Sequence, residues 1–320
     1  MITVNNSRFF EQAGDVLASA LGSLSRNIPV ALVTVTQTTG GGLRSVGSLI
    51  AVNLEGEMTG YVSNGCVDTE VIKQAQLAIE EGTNRSVLYG VGSPFFDIVL
   101  PCGGTVELLI FPVSDSTPIK DAIQTLVQRQ CATLVFDTIK NTLSRSGKNT
   151  EKGWIATSFY VLCTPKIRLR IAGEGASFMA VASLGLGSGF EVIAQSPNEF
   201  ELSQLESQGS ILSQKLSTPS STPDCIDDQF TAFLLLFHDH EWETELLKKA
   251  LTKNAFFIGA MGSKSTHEQR IQTLSKSGIG ALELSRIESP LGLIPSLRNA
   301  KQIAISALAQ VISCITSPAS

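Results

Sequence analysis

The chain has 320 residues, of which 43% are hydrophobic and 17% are charged, and its formal net charge is -5 at pH 7. This length favours two or three globular domains. The acidic balance gives no electrostatic basis for binding nucleic acid or an anionic membrane. Six cysteines are scattered without a Cys-x-x-Cys pair, which is typical of reduced thiols in the cytoplasm. We expect neither a signal peptide nor an apolar run of the ~20 residues that a bilayer requires.

The first part of the chain is predicted to be a strand-rich α/β domain over residues 1–140. Apolar residues at helical spacing predict helices over residues 7–24, 66–81 and 118–130. Apolar runs rich in β-branched residues predict strands over residues 29–36, 48–52, 57–62, 85–89, 95–100, 105–112 and 131–138.

A glycine-rich loop over residues 38–47 follows the first predicted strand and contains Arg44. Consecutive glycines beside threonine and serine hydroxyls form a possible nest of backbone amides for an anion, with Arg44 as its counter-charge. The loop lacks the Gly-Lys-Ser/Thr ending of a P-loop, so ATP is not indicated. The alternative is a mobile loop that binds nothing.

A cysteine is predicted at the start of the second helix. Ser63, Asn64 and Gly65 are residue types that begin helices, so Cys66 falls in the first turn. Unpaired amides and the helix dipole there favour a thiolate or another anion. The alternative is that Cys66 packs beneath the helix.

Another cysteine, Cys102, is predicted at the tip of a tight turn between the strands over 95–100 and 105–111. Pro101 ends the first of these strands, and Gly103 and Gly104 permit conformations that other residues resist. Two glycines also allow a ligand to lie against bare main chain beside the thiol. The alternative is an ordinary hairpin turn in which Cys102 is a small hydrophobic residue.

Residues 141–164 are interpreted as a linker and connecting strand, and residues 165–320 as a Rossmann-like domain with a doubly wound parallel sheet. A strand, the sequence Gly173-Glu174-Gly175, a helix and another strand follow one another within about 30 residues. These glycines bring a phosphate to the helix N-terminus. Two features argue against NAD(P): Phe178 at the third glycine position would crowd the helix against the sheet, and no acidic residue stands at 195–196.

The rest of this domain supplies further candidate residues. Residues 210–227 are rich in Ser, Thr and Pro and are predicted as a surface loop. A buried strand over 232–237 brings His238 to its carboxyl end, where ligands bind in open α/β sheets. His238 and His240 are a candidate metal pair, with a polar rim or a helix start as the alternatives. Gly262, Ser263 and Lys264 begin another helix after a strand and form a candidate anion site.

Taken together, these motifs resemble the xanthine dehydrogenase accessory factor family, also called XdhC/CoxI. The similarity covers most of the chain through the segments Val33 to Gly47, Ser63 to Cys66, Leu100 to Gly104, Gly173 to Gly175, His238 to His240, Ile258 to Ser263, Pro290 to Leu293 and Ile303 to Ser306. Cys102 matches the family's cysteine in its Cys-Gly-Gly turn, and Cys66 matches the cysteine of its Ser-Gly-Gly-Cys motif. The chain departs from that motif at Asn64.

The resemblance implies a cytoplasmic homodimer that binds molybdenum cofactor as cargo and delivers it to a xanthine dehydrogenase-type molybdoenzyme. It implies a chaperone rather than a catalyst, with a cysteine desulfurase as a further partner. The Cys102 thiolate is expected near the molybdenum. The expected cofactor-binding residues are Cys102, Gly103, Gly104, Ser63, Gly65, Cys66, Arg44, Gly173, Gly175, His238, Gly262, Ser263 and Lys264.

Two alternatives stay open at this point. One is an NAD(P)-dependent oxidoreductase that uses the Rossmann-like domain. The other is a partner-binding protein that has lost its ligand.

Overall fold

A computed structural model describes residues 11–40, 44–63, 65–93, 103–148, 152–220, 222–224, 226–237 and 241–316. The chain divides into two compact units, Met1–Pro165 and Lys166–Ser320. Cys102, the strand predicted before it and His238 lie outside the described residues. Within the described residues no helix is long and apolar enough to cross a membrane.

The first unit is built on an antiparallel five-stranded sheet with the order β3-β2-β1-β5-β4. Its elements are α1 (Ala13–Ser25), β1 (Val30–Thr39), β2 (Leu49–Asn53), β3 (Met58–Thr59), α2 (Cys66–Glu81), β4 (Arg85–Gly90) and β5 (Thr105–Pro112). Apolar side chains of α2 cover one face of this sheet, and α1 packs on the other. Because both faces are buried, β1 and β5 are nearly continuous apolar runs, which is why their sequence predicted strands.

A second sheet of four strands completes this unit, in the order β7-β6-β9-β8. Its elements follow α3 (Thr117–Val127) and are β6 (Ala132–Asp137), β7 (Thr142–Arg145), β8 (Gly153–Ile155) and β9 (Ser158–Cys163). Phe136 of this sheet packs edge-on against Phe111 of β5, with ring centroids 5.4 Å apart. Residues 141–164, interpreted as a linker with one strand, thus contain three strands of a sheet. In β7 only Leu143 is buried, so the sequence carries little signal of a strand.

The second unit has a parallel six-stranded sheet with the order β12-β11-β10-β13-β14-β15. Its strands are β10 (Arg168–Gly173), β11 (Glu191–Ser196), β12 (Ile211–Lys215), β13 (Thr231–Leu236), β14 (Phe257–Ala260) and β15 (Ile287–Glu288). Its helices are α4 (Gly175–Gly187), α5 (Glu199–Glu206), α6 (Glu243–Leu251), α7 (Lys264–Lys276), α8 (Ala281–Leu284) and α9 (Ala300–Thr316). The direction of winding reverses between β10 and β13, which makes this the switch point of a doubly wound sheet. The predicted Rossmann-like fold is confirmed.

Helices bury both faces of this parallel sheet. Side chains of α4, α5 and α9 cover one face, and side chains of α6 and α7 cover the other. Strand β12 lies inside the segment 210–227, which we predicted as a loop without regular structure. It is an edge strand in which only Ile211 is buried, so that prediction was wrong for lack of an apolar pattern.

We expected Phe178 to crowd α4 against the sheet, and it does not. Its side chain is fully buried in the core that α4 shares with β10. The close approach of helix and sheet occurs at Gly185 instead, where a Cβ atom would lie 2.6 Å from Cδ1 of Leu169. In α4 the small residue at the close contact is therefore Gly185, while Phe178 near the start of the helix is accommodated in the core.

Candidate functional site

The described residues of the glycine loop, the helix entry at Ser63 and Gly65, and the Gly103-Gly104 turn lie at one end of the five-stranded sheet. Thr39 at the end of β1 pairs with Thr105 at the start of β5. Strand β2 begins, and β3 ends, at the same end, because Thr34 pairs with Leu49 and Ala51 with Thr59. We call the residues 40, 44, 60–63, 65–66 and 103–104 the loop end. Antiparallel pairing thus gathers three motifs that are far apart in sequence.

Gly104 allows the first and third of these motifs to touch. A Cβ atom at this position would lie 2.2 Å from the carbonyl oxygen of Thr39, and a Cβ atom on Gly40 would lie 3.0 Å from Cα of Gly104. The hydroxyls of Thr39 and Thr105 are 2.7 Å apart beside this contact. Since the carbonyl of Thr39 occupies the place of a side chain, only glycine fits at position 104. The turn is therefore held against the glycine loop.

Arg44 carries a buried positive charge at the loop end. Arg44 is 8% exposed, and its guanidinium carbon lies 4.7 Å from the centroid of the Tyr61 ring. Nη1 is 3.7 Å from Oε1 of Glu11, which is too long for a hydrogen bond. Among the described residues this nitrogen has no hydrogen-bond partner. A buried donor without an acceptor is costly, so it is a natural contact for an anionic ligand.

Tyr61 links Arg44 to the helix entry. Its hydroxyl donates a hydrogen bond to Glu11. This hydrogen bond, aided by desolvation, raises the pKa of Tyr61 above its usual value. The charged partner next to the guanidinium is therefore the carboxylate of Glu11 and not the phenol of Tyr61.

Asp68 shapes the helix entry, and the sequence analysis missed it. Oδ1 accepts hydrogen bonds from the main-chain N–H groups of Val62 at 2.7 Å and Ser63 at 3.1 Å. Oδ2 accepts one from the N–H of Gly65 at 3.0 Å. An acidic residue three positions after a helix N-cap is the sequence signal of a capping box, and it was available. The amides of Ser63 and Gly65 therefore hold Asp68, and Cys66 begins α2 directly after them.

The second unit has a cavity of about 660 Å³ at the carboxyl end of its sheet. It opens at the switch point, between the start of α4 and the segments that follow β13 and β14. Its walls are mainly apolar and include Phe237, Met261, Leu291 and Ile303. This size and lining are typical of small-molecule sites.

A buried ion pair supports the floor of this cavity. Arg270 of α7 contacts both carboxylate oxygens of Glu243, at 3.0 and 2.9 Å. It also donates to the carbonyl of Met261 at 2.8 Å and to the hydroxyl of Ser289 at 3.3 Å. Arg270 neutralises Glu243 and fixes two of the segments around the cavity, so neither charge is free for a ligand.

The residues predicted to bind cofactor in the second unit take several roles. Gly262 lines the cavity. Ser263 accepts a hydrogen bond from Thr266 N–H at 3.1 Å and caps α7, and Lys264 is exposed. Gly173 packs against Leu236, whose Cβ would lie 2.8 Å from an added Cβ. The N–H of Gly175 donates a hydrogen bond to the side chain of Glu201 in α5.

Metal ligands do not cluster in the part of the chain that the structure describes: it has no group of three or more His, Cys, Asp or Glu side chains suited to a metal ion. Cys102, His238 and His240 are outside that part. The metal contact predicted for Cys102 therefore stays a prediction.

These two units define a two-part α/β protein with a candidate ligand site in each part. A family model described as the XdhC Rossmann domain matches residues 169–311, and one described as the XdhC and CoxI family matches residues 23–90. The chain is 33% identical over 298 residues to the molybdenum cofactor insertion chaperone PaoD of Escherichia coli (strain K12). That match covers 93% of this chain and 87% of PaoD. The protein belongs to the XdhC and CoxI family.

A solved structure shares the fold. It is a chain described as a xanthine dehydrogenase from Bacillus halodurans, which superposes with a TM-score of 0.77. The match covers 96% of this chain and 98% of that chain at 20% sequence identity. This likeness confirms the α/β architecture.

Proposed function

We propose that this protein is a maturation chaperone that binds molybdenum cofactor and delivers it to a xanthine dehydrogenase-type molybdoenzyme. Its similarity to PaoD over most of both chains supports a role in cofactor insertion. We further propose that it works in the cytoplasm as a homodimer and protects the cofactor during sulfuration, with a cysteine desulfurase as a partner. Free thiols at Cys131, Cys163 and Cys314 are compatible with a reducing compartment.

The observation that carries this proposal is the buried guanidinium of Arg44 at the loop end. The cofactor is an anion with a phosphate and a metal held by sulfur. Nη1 of Arg44, which is desolvated and has no hydrogen-bond partner among the described residues, is a donor for such a phosphate. Gly103 is exposed and Gly104 packs against Thr39 at the same end of the sheet, and Cys102 precedes them in sequence. A soft thiolate in that position suits the metal end of the cargo.

The proposed contacts are of two kinds. Cys102, Gly103, Gly104 and Arg44 contact the cargo directly, while Ser63 and Gly65 hold the entry of α2 in the shape that presents Cys66. In the second unit we retain Gly262 at the cavity, with His238, Ser263 and Lys264 near it in sequence. The cavity is a separate candidate site.

The test measures molybdenum bound to protein purified from a host that makes the cofactor. We expect Arg44→Gln and Cys102→Ser each to lose about ten- to a hundredfold in affinity, because each removes a contact to a charged group. Arg26→Gln and Cys131→Ser are the matched controls, since Arg26 forms an exposed ion pair with Glu57 in the same unit. Circular dichroism and thermal unfolding establish that the variants are folded.

Equal molybdenum in wild type, Arg44→Gln and Cys102→Ser would show that the cargo does not bind at the loop end. The delivery step has its own measurement. Loaded protein mixed with a cofactor-free xanthine dehydrogenase-type enzyme should restore its activity, and the two folded variants should restore little. Restoration by the variants at the wild-type level would contradict the proposal.

A further inference from the structure

The N-terminus of α4 already donates a hydrogen bond to a carboxylate of the protein itself. Both carboxylate oxygens of Glu201, in the first turn of α5, accept a hydrogen bond from the main-chain N–H of Gly175, at 3.0 and 3.1 Å. Gly175 has a φ of 80° and open space where a side chain would stand. In a doubly wound domain this amide faces the pyrophosphate of a dinucleotide. We call the N–H of Gly175 and the adjoining start of α4 the pyrophosphate seat.

Glu201 is held in a position from which its carboxylate occupies the pyrophosphate seat. Asn198 caps α5 by accepting hydrogen bonds from the N–H groups of Phe200 and Glu201, at 3.1 and 3.3 Å. The start of α5 is thereby fixed, and the carboxylate reaches α4 without ordering a loop. An anion at a helix N-terminus gains from charge-assisted hydrogen bonding and from the helix dipole. A side chain held nearby also competes at a high effective concentration.

An incoming pyrophosphate would meet two obstacles at this point. The donor it needs is engaged, and the negative charge of Glu201 repels it. The adjoining strand end offers no compensation, because Ser196 stands where an acidic residue would hold a ribose and its hydroxyl accepts a hydrogen bond from Asn198 N–H at 3.1 Å.

The other side of the switch point is open. The cavity extends from Ser177 near the start of α4 to Met261 and Gly262 after β14. It lies on the β13–β14 side, whereas Glu201 comes from the β11 side. The second unit therefore has an open cavity in one half of a dinucleotide site, while Glu201 blocks the position of the pyrophosphate that would connect it to the other half.

We propose that Glu201 determines ligand specificity in the Rossmann unit by excluding dinucleotides from the pyrophosphate seat. The cavity then admits a ligand that carries no pyrophosphate bridge. This inference is independent of the cargo bound at the loop end, and its test involves no molybdenum.

The test compares binding of NADH to the full-length wild-type protein and its variants by calorimetry. Wild type should show no binding up to about 1 mM NADH. Glu201→Ala frees the Gly175 amide and removes the repelling charge, so we expect affinity for NADH to rise at least ~tenfold. ADP, which has the pyrophosphate without nicotinamide, should show the same gain. Glu199→Ala is the matched control, because it removes a charge from the same helical turn, where Glu199 pairs with exposed Lys215.

Glu201→Gln provides a second variant in case Glu201→Ala does not fold. It keeps the side-chain shape and one acceptor but removes the charge, so its gain should fall between those of Glu199→Ala and Glu201→Ala. Micromolar binding of NADH by wild type would overturn the proposal. So would folded Glu201→Ala and Glu201→Gln variants that bind NADH and ADP no better than Glu199→Ala.

Discussion

At the scale of single residues, the second unit depends on a buried ion pair between a strand of its sheet and the segment that precedes β13. Arg170 contacts both carboxylate oxygens of Asp227, at 2.7 and 2.6 Å, and both side chains are almost completely buried. The guanidinium also donates to Gln195 at 2.9 Å and lies 3.7 Å from the ring centroid of Phe233. Each guanidinium nitrogen and both carboxylate oxygens thus have a hydrogen-bond partner where the two side chains are buried.

Removal of one partner should therefore destabilise the second unit strongly. Asp227→Ala leaves a buried guanidinium without its anion, and we expect a loss of about 3–5 kcal/mol in the free energy of unfolding. Lys215→Ala breaks an exposed ion pair in the same unit and should cost about 0–1 kcal/mol. Urea unfolding of both variants makes the comparison. If Asp227→Ala is no less stable than Lys215→Ala, the buried pair does not stabilise the native state as argued.

The same pair shows why residue roles were hard to predict from the sequence. Arg170 and Asp227 are 57 positions apart, and only the parallel packing of β10 against β13 brings them together. Asp227 ended a segment that we predicted as a surface loop. The role of Asp68 was also missed, but it depends on neighbours within six positions and could have been predicted from its place after the helix N-cap. Local hydrogen bonds can be predicted from spacing, whereas long-range ion pairs require the topology.

At the scale of elements, the end of the β1–β5 pairing depends on Gly104. A Cβ atom there would lie 2.2 Å from the carbonyl oxygen of Thr39, so Gly104→Ala must push the two segments apart. We expect a loss of about 1–3 kcal/mol in the free energy of unfolding. Hydrogen exchange should also become faster at the N–H of Thr105, which donates to Thr39 Oγ1 at 3.2 Å.

Gly147 provides the control for this substitution. It lies in the same unit, and an added Cβ atom would meet nothing within 4 Å. Gly147→Ala should change stability by less than about 0.5 kcal/mol. Equal stability of the two variants, with unchanged exchange at Thr105, would mean that the turn and the glycine loop are not held together by this contact.

Helices and strands were predicted well where their burial requires a recognisable pattern of apolar residues in the sequence. β1 and β13 are largely buried and mainly apolar, so their positions were predicted to within about three residues. β7 and β12 each bury a single residue, and the two-residue strand β15 is also too short to show a period. The candidate sites follow the same rule. Glycine loops and helix starts are visible in the sequence, but the carboxylate of Glu201 on Gly175 is visible only in the fold.

At the scale of the whole molecule, each unit has the cores that an independent domain requires. In the second unit, helices from residues 166–320 cover both faces of the parallel sheet. In the first unit, the two sheets share one core through Phe111 and Phe136. A chain segment that keeps all members of its cores can fold alone, and a cut through a core prevents folding.

Three fragments test where the independent units end. We expect fragments 1–165 and 166–320 each to unfold cooperatively in urea, because each retains the complete sheets of one unit. Fragment 1–140, which ends where the first domain was predicted to end, separates β6 from β7 and β9. It loses the fully buried side chains of Phe159 and Val161, and deletion of one buried phenylalanine side chain alone costs about 3–5 kcal/mol. Fragment 1–140 should therefore lack a cooperative transition, and one as stable as fragment 1–165 would show that the four-stranded sheet is dispensable to the first unit.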